Sequence, residues 1–389
     1  MVQKKNSKIK VAFIITPNVN WIGEFNYFKS LIGAINDLNE KIPIEFYIFT
    51  SNDEKNFTQK KYPKINVIKS NILNTKGIFS FIKKILSFFF RGYDPLLNYL
   101  LKKNLIQVIS HYKPIKGFKN ITWFPDFQHV HFPNFFSKRE IFFRNKLYSY
   151  YLKHSDQLIV SSKSSKKDLI KFQYKKKEIN VLNFVPEIDF KKIKTKKYIS
   201  KEININKKYI FTPNQFWVHK NHICIIEALK ILKNKNLKIN CIFTGSNYDH
   251  REPNHYENLR KKIEQYGLND QIKYLGILQY NKIINLLYHS NIIINPSLFE
   301  GWSTVVEEAK ILDKKIILSN LDVHIEQNPK KGIFFNPKNP KELADKIERS
   351  FLQNEKKSKD IKKIIKNYKS QRYIFIKNYI NIVNKIKIN

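Results

Sequence analysis

Asn291-Ile-Ile-Ile-Asn295-Pro-Ser-Leu-Phe-Glu300-Gly-Trp-Ser-Thr304-Val-Val-Glu-Glu308-Ala309 reads as a buried strand that runs into a loop and then into a helix. The apolar and amide positions before Pro296 give the strand. Ser303 and Thr304 can cap a helix start, and Val305, Val306 and Ala309 give that helix an apolar face. Glu300 is thereby expected at the carboxyl end of a strand and Glu308 about a turn and a half into the next helix. That helix start has free N–H groups that favour an anion. Spacing alone would leave the two glutamates as solvated surface charges. A strand-loop-helix junction in an open α/β sheet, however, is where ligands bind, and this layout suits a phosphorylated one.

The same rhythm extends in both directions, so the fold class is α/β with parallel sheets covered by helices on both faces. Strands are expected at 10–15, 43–49, 65–68, 105–109, 121–124, 157–160 and 179–183, with helices at 24–36, 135–153 and 164–172 among them. A lysine-rich polar segment from Glu187 to Lys208 interrupts the pattern and reads as a linker. Strands then follow at 209–212, 239–244, 272–275, 292–294, 315–319 and 332–335, alternating with helices at 221–233, 253–266, 281–289, around Glu308, and from 340 to about 351. Two Rossmann-like domains facing a cleft are expected: 1–190, a linker at 191–207, 208–355, and a basic, aromatic helical segment at 356–389 that crosses back onto the first domain. No internal repeat or long low-complexity tract is visible.

The composition, 389 residues with 42% hydrophobic content, allows more than one core. A formal charge of +39 raises a nucleic-acid reading. Lysine is spread over the whole chain beside abundant Asn and Ile, as an AT-rich coding sequence would produce, and neither an arginine-rich segment nor zinc-finger spacing nor an RNA-binding aromatic motif appears. Nucleic acid is therefore not an expected partner. Cys224 and Cys241 have no CxxC or Cys/His neighbour and read as small buried hydrophobes, supporting neither a disulfide framework nor a zinc site. The N-terminus lacks a signal-peptide pattern, and no long uncharged apolar run occurs, so a cytoplasmic protein is expected.

Three further motifs join the Glu300 and Glu308 pair. Pro213-Asn-Gln215-Phe-Trp-Val-His-Lys220-Asn-His222 follows the first strand of the second half. Trp123-Phe-Pro-Asp126-Phe-Gln-His129 with Pro133-Asn-Phe-Phe-Ser137 follows a strand of the first half. Pro17-Asn-Val-Asn-Trp21-Ile-Gly23 follows the first strand. With these four in this order, the chain resembles the retaining group 1 (family 4) glycosyltransferases of the GT-B fold, in the branch with the PDFQH motif. The pair corresponds to that family's Glu-x7-Glu element.

The resemblance implies transfer of a sugar from a nucleotide-diphosphate sugar to an acceptor hydroxyl with retention, in lipopolysaccharide, O-antigen or other surface polysaccharide assembly. It implies no metal and no cofactor, and the chain contains no Asp-x-Asp. Lys220, read as opening a helix after a strand end, would meet the diphosphate, because a cation at a helix N-terminus is unfavourable unless an anion binds there. Gly301, Trp302, Ser303 and Thr304 would add backbone amides. Glu300 would face the sugar, and Glu308 the ribose hydroxyls. Asp126 and His129 are candidates beside the donor sugar, with His131 less favoured; each has a packed structural role as its alternative. Gly23 would let backbone approach a phosphate, and Glu24 stands where relatives carry a second glycine. Gln215 stands where many relatives carry an arginine and is kept as a polar donor-site contact. Asp249 and Arg251, with His250 between them, and Leu278 with Gln279 are candidates for contacting the nucleotide.

The acceptor is expected to be a saccharide or lipid-linked saccharide. Gly77 to Arg91, large apolar residues with Lys83, Lys84 and Arg91, suits an interfacial helix on an anionic membrane surface, or equally a core-facing helix. A non-catalytic nucleotide-sugar-binding scaffold of the same fold is the alternative that Glu24 and Gln215 permit, and intact Lys220, Glu300 and Glu308 argue against it.

Overall fold

The computed structural model describes residues 8–15, 22–74, 94–172, 177–195, 208–352 and 360–387. The Gly77 to Arg91 segment, most of the Pro17 to Gly23 motif and most of the linker lie outside them. The chain forms two compact units: Met1–Phe127, Lys138–Glu187 and Gln371–Asn389 make the first, and Gln128–Ser137 with Ile188–Ser370 the second. Residues 128–137 thus belong to the second unit, although they lie within the 1–190 span expected of the first domain.

In the first unit, β1 (Ile9–Ile15), β2 (Ile44–Thr50), β3 (Asn66–Lys69), β4 (Val108–His111), β5 (Lys119–Phe124), β6 (Gln157–Val160) and β7 (Ile179–Val181) form a parallel seven-stranded sheet in the order β3-β2-β1-β4-β5-β6-β7. β1 ends in five consecutive buried residues, the continuous apolar run of a strand covered on both faces. Trp123 on β5 is a core residue: its ring stacks on Tyr27 with centroids 4.0 Å apart, and its indole N–H donates to Ser161 Oγ at 2.9 Å. From Gln371 onward the last helix (Ile361–Asn384) contributes to this unit. There Tyr379 lies 6.1 Å from Phe13 and Arg372 donates to Asp37 at 2.8 Å.

Several element boundaries differ by a few residues from the pattern in the sequence, and those near β4 and the first helix bear on the site. Residues 95–103 form a helix that the apolar periodicity does not announce, opened by Pro95 in its first turn and capped by the Asp94 carboxylate, which accepts from the Leu97 N–H at 3.0 Å. Leu105 then takes a left-handed backbone (φ 56°) and is exposed, so β4 begins at Val108 rather than at Leu105. The first helix starts at Ile22, which puts Gly23 inside its first turn instead of in a loop.

In the second unit, β8 (Tyr209–Thr212), β9 (Asn240–Phe243), β10 (Ile272–Tyr274), β11 (Ile292–Asn295), β12 (Ile316–Ser319) and β13 (Gly332–Phe335) form a parallel sheet in the order β10-β9-β8-β11-β12-β13. Its core takes in Cys224 and Cys241, both buried and both free. Burial pushes the Cys224 thiol up to about 12, so it packs as a hydrophobe. After β9, Gly245 sits at φ 124°, and a Cβ there would stand 2.6 Å from the Asn214 carbonyl oxygen. Both the dihedral and the backbone contact exclude a side chain. Gly245→Ala is expected to cost about 2 kcal/mol or more, read as a lower urea midpoint at unchanged slope.

Candidate functional site

The second sheet changes direction between β8 and β11: the chain builds β9 and β10 on one side and β12 and β13 on the other. Loops leaving two such strands diverge to opposite faces and open a crevice at the carboxyl edge. The loop after β8 carries Lys220 and the loop after β11 carries Glu300, so the residues picked out on sequence meet at this switch point. Lys220 Nζ lies 2.7 Å from Glu300 Oε1, with both side chains largely buried.

The loops are fastened to one another. Leu298 N–H donates to the His219 carbonyl at 2.8 Å, and Asn221 Nδ2 donates to the Pro296 and Pro337 carbonyls at 3.0 and 2.9 Å. Asn221 itself is left-handed (φ 58°) and separates the turn Val218–Lys220 from the helix His222–Asn234. Lys220 therefore lies on a tight turn ahead of the helix, not at its first residue as the sequence pattern indicated.

Ser297 Oγ lies 2.7 Å from both Glu300 Oε1 and Asn295 Oδ1, so its single proton serves one of them at a time. Burial opposes ionisation of Glu300, but the Lys220 ammonium and the hydrogen bonds from Lys220 and Ser297 outweigh it and hold the carboxyl below its usual range. His324, fully buried, has Nδ1 2.9 Å from the Ser319 carbonyl oxygen. Burial keeps its imidazole below the usual range, so Lys220 is the larger positive influence on Glu300 and His324 the smaller one.

Ser303 is the N-cap of the helix Thr304–Ile311, yet it makes no side-chain capping bond. Its hydroxyl instead accepts from Asn295 Nδ2 at 2.8 Å, while Gln327 brackets its backbone, accepting from its N–H at 3.3 Å and donating to its carbonyl at 2.9 Å. The capping role read for Ser303 gives way to this anchor, and the first-turn amides are left without a side-chain cap. Gly301 and Trp302 are half-buried in the loop that leads to them. Glu308, one turn into the helix, is buried and its Oε1 accepts from the Tyr280 hydroxyl at 2.7 Å. Burial pushes the Glu308 carboxyl up to about 7, with the Tyr280 bond pulling the other way.

The second unit's segment 128–137 also lies on these loops. His131 and Phe132 pack on Phe299, the residue before Glu300, with ring centroids 5.0 and 6.2 Å away. Arg251 joins the layers: it grips the Asp249 carboxylate through Nε and Nη2 at 2.8 and 3.1 Å, donates through Nη1 to Gln128 Oε1 at 2.9 Å, and lies over Trp217. Asp249 also accepts from the Val218 N–H at 3.2 Å. Burial works against ionising Asp249, and these donors still hold it below its ordinary value. In this structure Asp249 and Arg251 brace the Lys220 turn.

His129 is buried in the same unit, edge-on to Phe136, whereas Asp126 is half-buried in the first unit with its carbonyl accepting from Tyr148. Gln215 and Leu278 are half-buried on the loops after β8 and β10. The first unit has its own switch point between β1 and β4, where the Glu24 carboxyl lies 3.8 Å from His111 Nε2. Burial raises that carboxyl to about 7 against the pull of Lys113. Gly23 beside it is exposed.

Sequence reasoning missed Tyr280, Asn295, Ser297, His324 and Gln327. Ser297 and Asn295 stood in the quoted stretch and were findable as polar residues at a strand end. The others come from elements made neighbours only by the strand order.

Residues 193–368 match the family described as Glycosyl transferases group 1. Over 223 residues the chain is 28% identical to the N,N'-diacetylbacillosaminyl-diphospho-undecaprenol alpha-1,3-N-acetylgalactosaminyltransferase of Campylobacter jejuni, covering 54% of this chain and 55% of that protein. The chain thus spans about half the length of this curated relative. Among solved structures, a glycosyltransferase from Rickettsia africae is similar over 95% of this chain and 94% of its own, with TM-score 0.62 and 18% identity. Anabaena Alr3699/HepE, in complex with UDP and glucose, is similar over 97% of this chain and 100% of its own, with TM-score 0.68 and 16% identity. The fold is that of the GT-B glycosyltransferases, two parallel-sheet Rossmann-like domains, and the family match supports kinship with group 1 of those enzymes. Among the described residues, no helix is long and apolar enough to cross a membrane.

Proposed function

We propose that the protein is a retaining hexosyltransferase that moves a sugar from a nucleotide-diphosphate donor to a hydroxyl of a lipid-linked saccharide. It would act at the cytoplasmic face of the membrane in lipopolysaccharide, O-antigen or related surface-polysaccharide assembly. The observation that carries this reading is the Lys220 and Glu300 pair at the β8/β11 switch point, next to the uncapped start of the helix that bears Glu308. The Campylobacter relative, named for a reaction on a diphospho-undecaprenol glycan, supports the lipid-linked acceptor.

In sugar transfer, negative charge grows on the departing diphosphate while positive charge grows on the sugar ring. Lys220 and the amides around Gly301 to Thr304 answer the first charge, and Glu300, kept ionised by its neighbours, answers the second. Such preorganised donors act most strongly where water is excluded. Glu308 beneath the Tyr280 hydroxyl takes the ribose hydroxyls. No metal is assigned to the diphosphate, since Lys220 and the amides already supply its countercharge. Release of nucleoside diphosphate from a panel of nucleotide sugars, with EDTA and lipid-linked acceptors from membrane extract, tests this. Turnover of one donor that survives EDTA is expected; turnover restored only by added divalent metal would overturn the metal-free part, and binding without turnover the enzyme reading.

A further inference from the structure

The helix Lys138–His154 of the first unit presents large apolar side chains outward. Phe142, Phe143, Leu147 and Tyr150 are 56%, 62%, 48% and 45% exposed, and they come from one helix rather than being scattered singly. Its inward seam is Ile141, Tyr148, Tyr151 and Leu152, of which Tyr148, Tyr151 and Leu152 pack against Phe124 and Phe127. At about 100° per residue, Phe142, Lys146, Tyr150, Phe143 and Leu147 occupy a continuous arc of about 140°, diametrically opposite that seam. Arg139 and Lys153 fall inside the same arc. No acidic residue does; Glu140 lies at its margin. The Lys146 ammonium sits 5.5 Å from the Phe142 ring centroid, so cation and aromatic form one surface.

We propose that this outward face is the surface on which the protein docks to an anionic phospholipid bilayer. Apolar side chains enter the acyl boundary while Arg139, Lys146 and Lys153 pair with headgroup phosphates, the division of labour of an interfacial helix. Charge decides between occupants. A second copy of this chain would bring the same acid-free basic arc, in a protein of net charge +39, against itself, whereas an anionic lipid surface complements it. The proposal deepens the lipid-linked-acceptor reading and rests on it for its purpose, but its evidence is this helix alone.

The test is vesicle co-sedimentation of the full chain, comparing phosphatidylcholine vesicles with vesicles also containing phosphatidylglycerol. Wild type is expected to bind the anionic vesicles at least about tenfold more tightly, weakening as salt rises. Phe142→Ser, Phe143→Ser and Leu147→Ser combined should reduce that binding by more than about tenfold, with an unchanged circular dichroism spectrum and melting midpoint because the three side chains face solvent. Arg139→Glu, Lys146→Glu and Lys153→Glu combined should remove most of the salt-sensitive part while keeping the fold. Equal vesicle binding by wild type and the triple variant would overturn the proposal. So would a wild-type dimer in sedimentation that the triple variant abolishes, or binding to RNA but not to vesicles. A protein that docks but transfers no sugar would sink the reaction proposed above and leave this face standing. Transfer to a lipid-linked acceptor without docking would overturn this face alone.

Discussion

Lys220→Ala is expected to lower the rate of sugar transfer by roughly a hundredfold or more, with most of the loss in kcat. The size follows from two consequences of one deletion. The departing diphosphate loses its ammonium, and Glu300 loses the charge that offsets its burial. In the wild type the Glu300 carboxyl is held below its ordinary value of 4.5, so its ionised form stabilises the fold above that pH and the benefit fades as pH falls through the depressed value. Without Lys220 the burial penalty prevails, the carboxyl shifts upward, and the oxocarbenium faces a partly neutral acid. The acidic limb of the kcat profile should therefore move to higher pH in Lys220→Ala, a change that simple loss of diphosphate affinity would not produce. Because the two groups act as a unit, Lys220→Ala combined with Glu300→Gln should be little slower than either alone. Stopped assays of nucleoside diphosphate release across pH give all three numbers. A Lys220→Ala rate within about threefold of wild type, on an unmoved profile, would remove Lys220 from the reaction.

The parts of this arrangement that could be read in advance are those encoded within a few residues. Ile292 to Asn295 announce a buried strand by composition, and a glutamate five residues past that strand with another on the following helix marks a strand-end site, so Glu300 and Glu308 were legible. Lys220 was legible as a cation after β8, although its placement was not: the left-handed Asn221 that holds it off the helix depends on carbonyls of Pro296 and Pro337, far along the chain. Ser303 looked like a cap because Ser precedes the helix, and nothing local says that Asn295 claims its hydroxyl. Tyr280 meets Glu308, and Gln327 meets Ser303, through the strand order, which no window of sequence contains. Leu105 read as strand because it is apolar and precedes an apolar run. Its positive φ is set by the end of a helix that the pattern did not reveal. The same blindness applied to Asp249 and Arg251, whose carboxylate and guanidinium brace the Lys220 turn in a way visible only once Gln128 and Val218 are beside them.

Glu308 carries the other large expectation, and its sign is fixed by its environment. Its folded carboxyl titrates near 7 against an ordinary value of 4.5, so the fold prefers the protonated form. That preference stabilises the unliganded protein fully below pH 4.5 and is lost as pH rises through about 7, an order-of-magnitude cost of about 3 kcal/mol. Glu308→Gln keeps the shape and the Tyr280 contact but has nothing to ionise. Without ligand it should thus melt higher than wild type at pH 8 and about equally at pH 5. Nucleotide binding should run the other way. Ribose hydroxyls donate best to a carboxylate, so wild-type affinity for the nucleoside diphosphate should rise from pH 6 to pH 8 more steeply than that of Glu308→Gln, whose remaining pH dependence comes from the ligand's own terminal phosphate. At pH 8 the variant should bind roughly tenfold more weakly, and the gap should narrow toward pH 6. Calorimetric titrations at the two pH values separate these cases: parallel pH dependence in wild type and variant would place the ribose elsewhere, whereas a crossing of stability and affinity, each with its own sign, would mean that the carboxylate unfavourable to the empty fold is the group that holds the ligand.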